Sequence, residues 1–132
     1  MADAVTSQTI IDGRRRAVMK FTNISDGTGE AAVSKVTPSA LASHPDLGAC
    51  TGVKIRAVRY EVAGMKVNIL WDATADVSAM ILTGYGLHDF ASVGGIPNNA
   101  GAGKTGVIQF STIGAAANAT YTIELDLVKA YG

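Results

Sequence analysis

The sequence predicts an all-β fold, a single-domain antiparallel β-sandwich with a jelly-roll-like plan. Three observations carry that expectation. Apolar and polar residues alternate along many segments with the two-residue period of a half-buried strand. Turn-forming glycine, proline, asparagine and aspartate separate those segments at short intervals. No segment holds a 3.6-residue apolar period long enough for a substantial helix. The chain has 132 residues, one domain by ordinary size, and can bury a core without disulfide staples. Hydrophobic residues make up 48% and aromatics only 6%, so alanine, valine, isoleucine and leucine must fill that core.

Residues 1–8 are small and polar with little to bury, and read as an N-terminal arm preceding a domain over residues 9–132. Thr9 to Asp12 is a short strand that enters a turn at Gly13. In the next strand, residues 17–24, Ala17, Met19 and Phe21 share one face. Residues 25–30 form a turn-rich loop, and residues 32–37 a further strand ended by Pro38, which cannot donate to a ladder. Ser39 to Ala42 can make one helical turn before His44 and Pro45 break it.

Residues 53–72 organise the rest. Met65, Val67, Ile69 and Trp71 point one way and Lys66, Asn68, Leu70 and Asp72 the other. Upstream the apolar set changes parity, from Val53, Ile55 and Ala57 to Val58, Tyr60 and Val62. A slip of one residue near Ala57 predicts a β-bulge. Gly64 can take a positive φ, so the stretch reads as a long bent hairpin turning there. Residues 77–83 read as a buried strand, Gly84 and Gly86 as a sharp bend around Tyr85, and residues 87–90 as a short extended piece. Residues 93–106 are too rich in glycine for regular structure and read as a long surface loop. Residues 107–112 form a strand with Ile108 and Phe110 inward. The last strand, residues 121–129, alternates most cleanly, with Tyr121, Ile123, Leu125 and Leu127 inward.

Charge and composition exclude several functions. Eleven basic residues balance eleven acidic ones, so no field draws the chain to nucleic acid. No apolar run approaches the roughly 18 residues of a membrane span. The first ten residues lack the basic start and apolar core of a secretory leader, so cytoplasmic synthesis is expected. A lone cysteine, Cys50, fits a reducing compartment and reads as a small core residue. The sequons at Asn23 and Asn118 matter only in a secreted protein.

The candidate chemistry is thin. Gly101-Ala102-Gly103-Lys104-Thr105 imitates a phosphate-binding loop, but Asn98 stands where its first glycine belongs, and a strand follows where a helix is needed. Arg14, Arg15 and Arg16 could meet a phosphate, yet three charges are a small footprint, and a solvated strand end is the simpler reading. Asp26 and Glu30 lie among glycines without the spacing of a calcium loop. His88 and Asp89 could orient a nucleophilic serine, but no nucleophile elbow surrounds any serine. His44, His88 and Cys50 are too few for a zinc site. Asp72 and Asp76 suit a hydrogen-bonded turn better than a pair of catalytic carboxylates. The expectation is therefore no enzyme, with no catalytic, cofactor-binding or metal residues, no cofactor and no small-molecule substrate.

One resemblance goes further. Leu70-Trp71-Asp72-Ala73-Thr74-Ala75-Asp76, Gly84-Tyr85-Gly86, the run from Asn98 to Gly106, and Tyr121-Thr122-Ile123-Glu124-Leu125 resemble small virion structural proteins of tailed bacteriophages. Thr9 to Gly13 and the segment from Phe21 to Gly27 are similar as well. The resemblance implies a capsid decoration, or cement, protein: a compact β-rich homotrimer on the outside of the virion, bound to the major capsid protein, with no nucleic acid or membrane partner. A neck or tail component and a carbohydrate-binding host-recognition module are the alternatives. The second is weakened by one Trp and four Tyr, since sugar platforms need exposed aromatics.

Overall fold

The computed structural model describes residues 4–27, 29–42 and 44–131. Seven strands make it up: β1 (Ala4–Asp12), β2 (Arg16–Asp26), β3 (Val33–Val36), β4 (Cys50–Trp71), β5 (Val77–Asp89), β6 (Ile108–Ile113) and β7 (Ala117–Tyr131). Two three-residue 3-10 turns, Pro38–Ala40 and Ala91–Val93, are the helical elements among the described residues.

All seven strands join one antiparallel sheet in the order β1-β2-β7-β4-β6-β3, with β5 also paired to β4. The ladders explain its shape. Residues 50–63 of β4 pair with β7, and residues 66–71 pair with β6, so β7 and β6 lie end to end along one side of β4. Along their far side, β2 and β3 lie end to end in turn. On the other side of β4 runs β5. The seven strands thus behave as five long ribbons, most of them interrupted near the middle.

Those interruptions fall on one line across the sheet and form a crease. Gly64 in β4 has φ +77°, Gly84 in β5 has φ +74°, and Gly114 and Asn118 between β6 and β7 have φ +66° and +68°. The β4–β5 ladder is broken there too, jumping from Val62 opposite Gly84 to Val67 opposite Leu82. At Gly64 a side chain would be strained by φ and would bring its Cβ to 3.0 Å from that of Ala119. The crease curls the sheet so that its concave face closes on itself. Phe21 of β2 meets Phe110 of β6 edge to face at 5.2 Å, although their strands are not neighbours, and Tyr121 of β7 meets Phe110 at 5.8 Å.

The all-β class is as expected, and Trp71, Ile69, Ile123 and Leu125 are fully buried in the core. The bulge near Ala57 is present: the β4–β7 register shifts between Ile55 and Ala57. Four expectations differ. The strands form a single curled sheet rather than two stacked ones, with no jelly-roll pairing among the described residues. Residues 53–72 are not a hairpin, because Gly64 bends a continuous strand instead of reversing it. Residues 77–83 are not a buried strand; they begin an edge strand in which Leu82 is the buried residue, and β5 runs on through Gly84 to Asp89. The arm over residues 1–8 lies partly outside the described residues, but Ala4 to Gln8 are paired with Ile24 to Lys20, so no boundary follows Gln8.

Candidate interaction surface

The convex face of the β2, β7 and β4 half is built from the outward residues of three strands. Cross-strand register sets Lys20, Glu124 and Arg59 in one row, and Thr22, Thr122 and Glu61 in the next. β1 extends the second row with Thr6, whose hydroxyl meets that of Thr22. Alternating charges across neighbouring strands attract each other and leave the face close to neutral. Lys20, Arg59, Tyr60, Glu61, Thr122 and Glu124 line a shallow groove of about 240 Å³ on it. Below the first row Asp126 takes two guanidinium groups, from Arg16 at 2.8 Å and Arg56 at 2.9 Å.

Two free strand edges bound this surface. Among the described residues β1 pairs with β2 alone, and it is exposed from Val5 to Asp12. It carries Val5, Ile10 and Ile11 uncovered, and neither a lysine nor a proline. Such residues ordinarily blunt an edge against pairing with another chain. β5 is the second edge; Ile81, Tyr85 and Leu87 are exposed on it, Tyr85 to 85%. Tyr60 and Phe90 hold His88 in a stack there, with ring centroids 5.2 and 6.1 Å away.

The residues weighed for chemistry are dispersed into structural work. Arg16 pairs with Asp126, while the Arg14 and Arg15 carbonyls accept bonds from the Tyr131 hydroxyl and the Lys129 amide. Asp89 accepts the Ala91 amide at 2.9 Å, so it ends β5 rather than orienting His88. His44 Nδ1 accepts the Asp46 and Leu47 amides and closes its own tight turn. Cys50 is buried with Sγ 3.2 Å from the Gly52 carbonyl. Asp76 accepts the Ala73 amide at 3.1 Å, the turn bond expected of it. Among the described residues no three His, Cys, Asp or Glu side chains gather where they could hold a metal ion. No described helix is long and apolar enough to cross a membrane.

The glycine-rich loop has a job of its own. The Thr105 hydroxyl donates to Asp72 at 2.7 Å, the Thr74 amide donates to the Ala102 carbonyl at 3.1 Å, and Ile96 bridges to Ile55. Gly106 sits where a Cβ would come to 2.7 Å from the Thr51 carbonyl. The loop thus touches both ends of β4, near Thr51 and Ile55 and beside Asp72, and strand β6 follows it, so the chain after Lys104 offers no helix N-terminus.

Sequence reasoning missed two buried cations. The Lys129 ammonium is fully buried; it donates to Asp12 and, at 3.1 Å, to the Ala42 carbonyl. Burial opposes ionisation of Asp12, but hydrogen bonds from Lys129 and the Ala42 amide, together with the Lys129 charge, hold its carboxyl below the ordinary range. The signal was in the sequence: Lys129 continues the inward parity of Tyr121 to Leu127. Lys35 and Glu30 form the second pair at 2.6 Å, both side chains 6% exposed. No pattern announced it, because the pair joins a loop to a four-residue strand.

Compared with known proteins, the chain matches no family model and no curated protein.

Proposed function

We propose that this chain is a bacteriophage virion structural protein, a capsid decoration or cement protein that binds the outer surface of the major capsid protein shell as a homotrimer. The observation that carries the reading is the unprotected edge of β1, together with the exposed β5 edge. A nine-residue strand with open backbone groups and uncovered Val5, Ile10 and Ile11 suits pairing with a neighbouring subunit or shell protein. The near-neutral convex face suits an exterior subunit. The resemblance to small tailed-phage virion proteins supplies the identity of the partner.

Copy number tests this directly. Quantitative mass spectrometry of purified virions should find the chain in hundreds of copies per particle. A dozen or fewer would favour the neck or tail alternative, and absence from the particle would end the reading. The carbohydrate alternative draws on Tyr85, the most exposed large hydrophobic side chain among the described residues, which lies opposite Glu61 of the groove. Specific glycan binding lost in Tyr85→Ala would favour it.

A further inference from the structure

The buried group at Glu30 contains more than an ion pair. Glu30 Oε2 accepts Lys35 Nζ at 2.6 Å, and Glu30 Oε1 accepts Asn23 Nδ2 at 3.0 Å. An amine and a carboxamide thus hang from the two oxygens of one carboxylate. The Tyr121 hydroxyl also donates to Oε1, at 2.5 Å. Asn23 is 1% exposed, and aromatic surface encloses the set, with Lys35 Nζ 5.8 Å from the centre of the Phe110 ring.

The fold fixes each member separately. Asn23 follows Phe21 on the inward parity of β2. Glu30 is clamped to β6 through its backbone, since its amide donates to the Thr112 hydroxyl at 2.8 Å and its carbonyl accepts the Thr112 amide at 2.9 Å. Lys35 sits at a register shift in β3, where Ser34 faces Gln109 and Val36 faces Ile108. A bulge of this kind re-aims a side chain, here into the core. A buried ion pair alone would need only Lys35 and Glu30. The carboxamide on the second oxygen supplies an electrophile beside a nucleophile and a shared acid–base group.

From this arrangement we infer that Lys35 and Asn23 form an intramolecular isopeptide bond, with Glu30 as the proton carrier. The ammonium proton passes to Oε2 along the existing hydrogen bond. The freed Nζ lone pair attacks Asn23 Cγ, and the carbonyl electron pair moves to Oδ1. Glu30 then takes a proton from Nζ and passes one to Nδ2. The Cγ–Nδ2 bond breaks, the carbonyl re-forms, and ammonia leaves. Amine plus carboxamide gives secondary amide plus ammonia, with no oxidant or reductant. In the described geometry the two groups are not yet joined, and each is held on one oxygen of the Glu30 carboxylate, which keeps them in the same small site. The bond would tie β2 to β3 across the crease.

Mass spectrometry of the full chain, folded and then digested, tests this. Trypsin should fail to cut after Lys35, leaving a peptide from Phe21 to Lys54 lighter than its sequence mass by one ammonia. A protease that cuts after Glu30 should then leave the two halves joined. Glu30→Gln and Lys35→Arg should each restore the full mass of this region. Normal cleavage after Lys35 in folded wild type, at full mass, overturns the proposal whatever the variants do. Loss of ammonia with the halves separating after cleavage at Glu30 also overturns it, since that marks cyclisation of Asn23 on its own backbone.

Discussion

β1 and β7 flank the same strand, β2, one on each side, and are treated in opposite ways by the fold. Alternate residues of β7 from Ala119 to Lys129 are buried, whereas β1 is exposed from Val5 to Asp12. Both make full antiparallel ladders with β2. The difference is what lies beyond: β7 has β4 as its second neighbour and the other half of the curled sheet over its inner face, while β1 has no second strand beside it among the described residues. Backbone pairing therefore makes a strand, but packing across the concave face makes a core. In β7, Tyr121, Ile123, Leu125 and Leu127 keep one parity; in β1, Val5 lies opposite Asn23, but the register shift between Thr9 and Ile11 turns Ile11 to the other face, opposite Val18, so the apolar residues share no face.

The sharpest way to break this comparison is a truncation in β7. Ile123→Ala should cost about 2–5 kcal/mol, because a fully buried side chain leaves a cavity as well as losing its transfer energy. Urea unfolding reads it, and a loss below about 1 kcal/mol would mean that the concave face is loosely packed. Next comes the crease that brings the two halves together. Gly64→Val should cost about 1–3 kcal/mol through its positive φ and its approach to Ala119. An unchanged midpoint would show that β4 bends without help from that residue.

Asp12 joins the two regions, since it ends β1 and meets Lys129 of β7. Its carboxyl is held below the ordinary range when folded, so it contributes stability above about pH 4 that is lost as pH falls through the lower folded value. Asp12→Asn should be about 1–3 kcal/mol less stable than wild type at pH 6, with the gap closing towards pH 2. A gap that stayed constant with pH would assign the effect to packing rather than charge. The smallest change is expected in β1 itself. Val5→Ala should move stability by no more than about 0.5 kcal/mol. Ile10→Lys should be similarly mild in unfolding, yet should weaken self-association measured by sedimentation if the β1 edge is a contact.

Local pattern determined a good deal of this protein. The parity of Met65 to Trp71 and of Tyr121 to Leu127 set which residues are core, and the parity slip near Ala57 marked a real bulge, because a two-residue period leaves each side chain only two directions. The turn roles of Asp76 and the irregular backbone of residues 93–106 were legible for the same local reason: short-range sterics and hydrogen bonds. Partnership was not. Whether Gly64 reverses the chain or creases it depends on β6 and β7 lying end to end beside β4, more than forty residues later. Whether residues 77–83 are buried depends on the sheet ending at β5. Glu30, Lys35, Asn23 and Tyr121 come from a loop and three strands, and only closure of the curled sheet puts an amine, a carboxylate and a carboxamide within hydrogen-bond reach. A sequence period records which way a side chain points; what it meets there is decided by contacts between segments far apart in the chain.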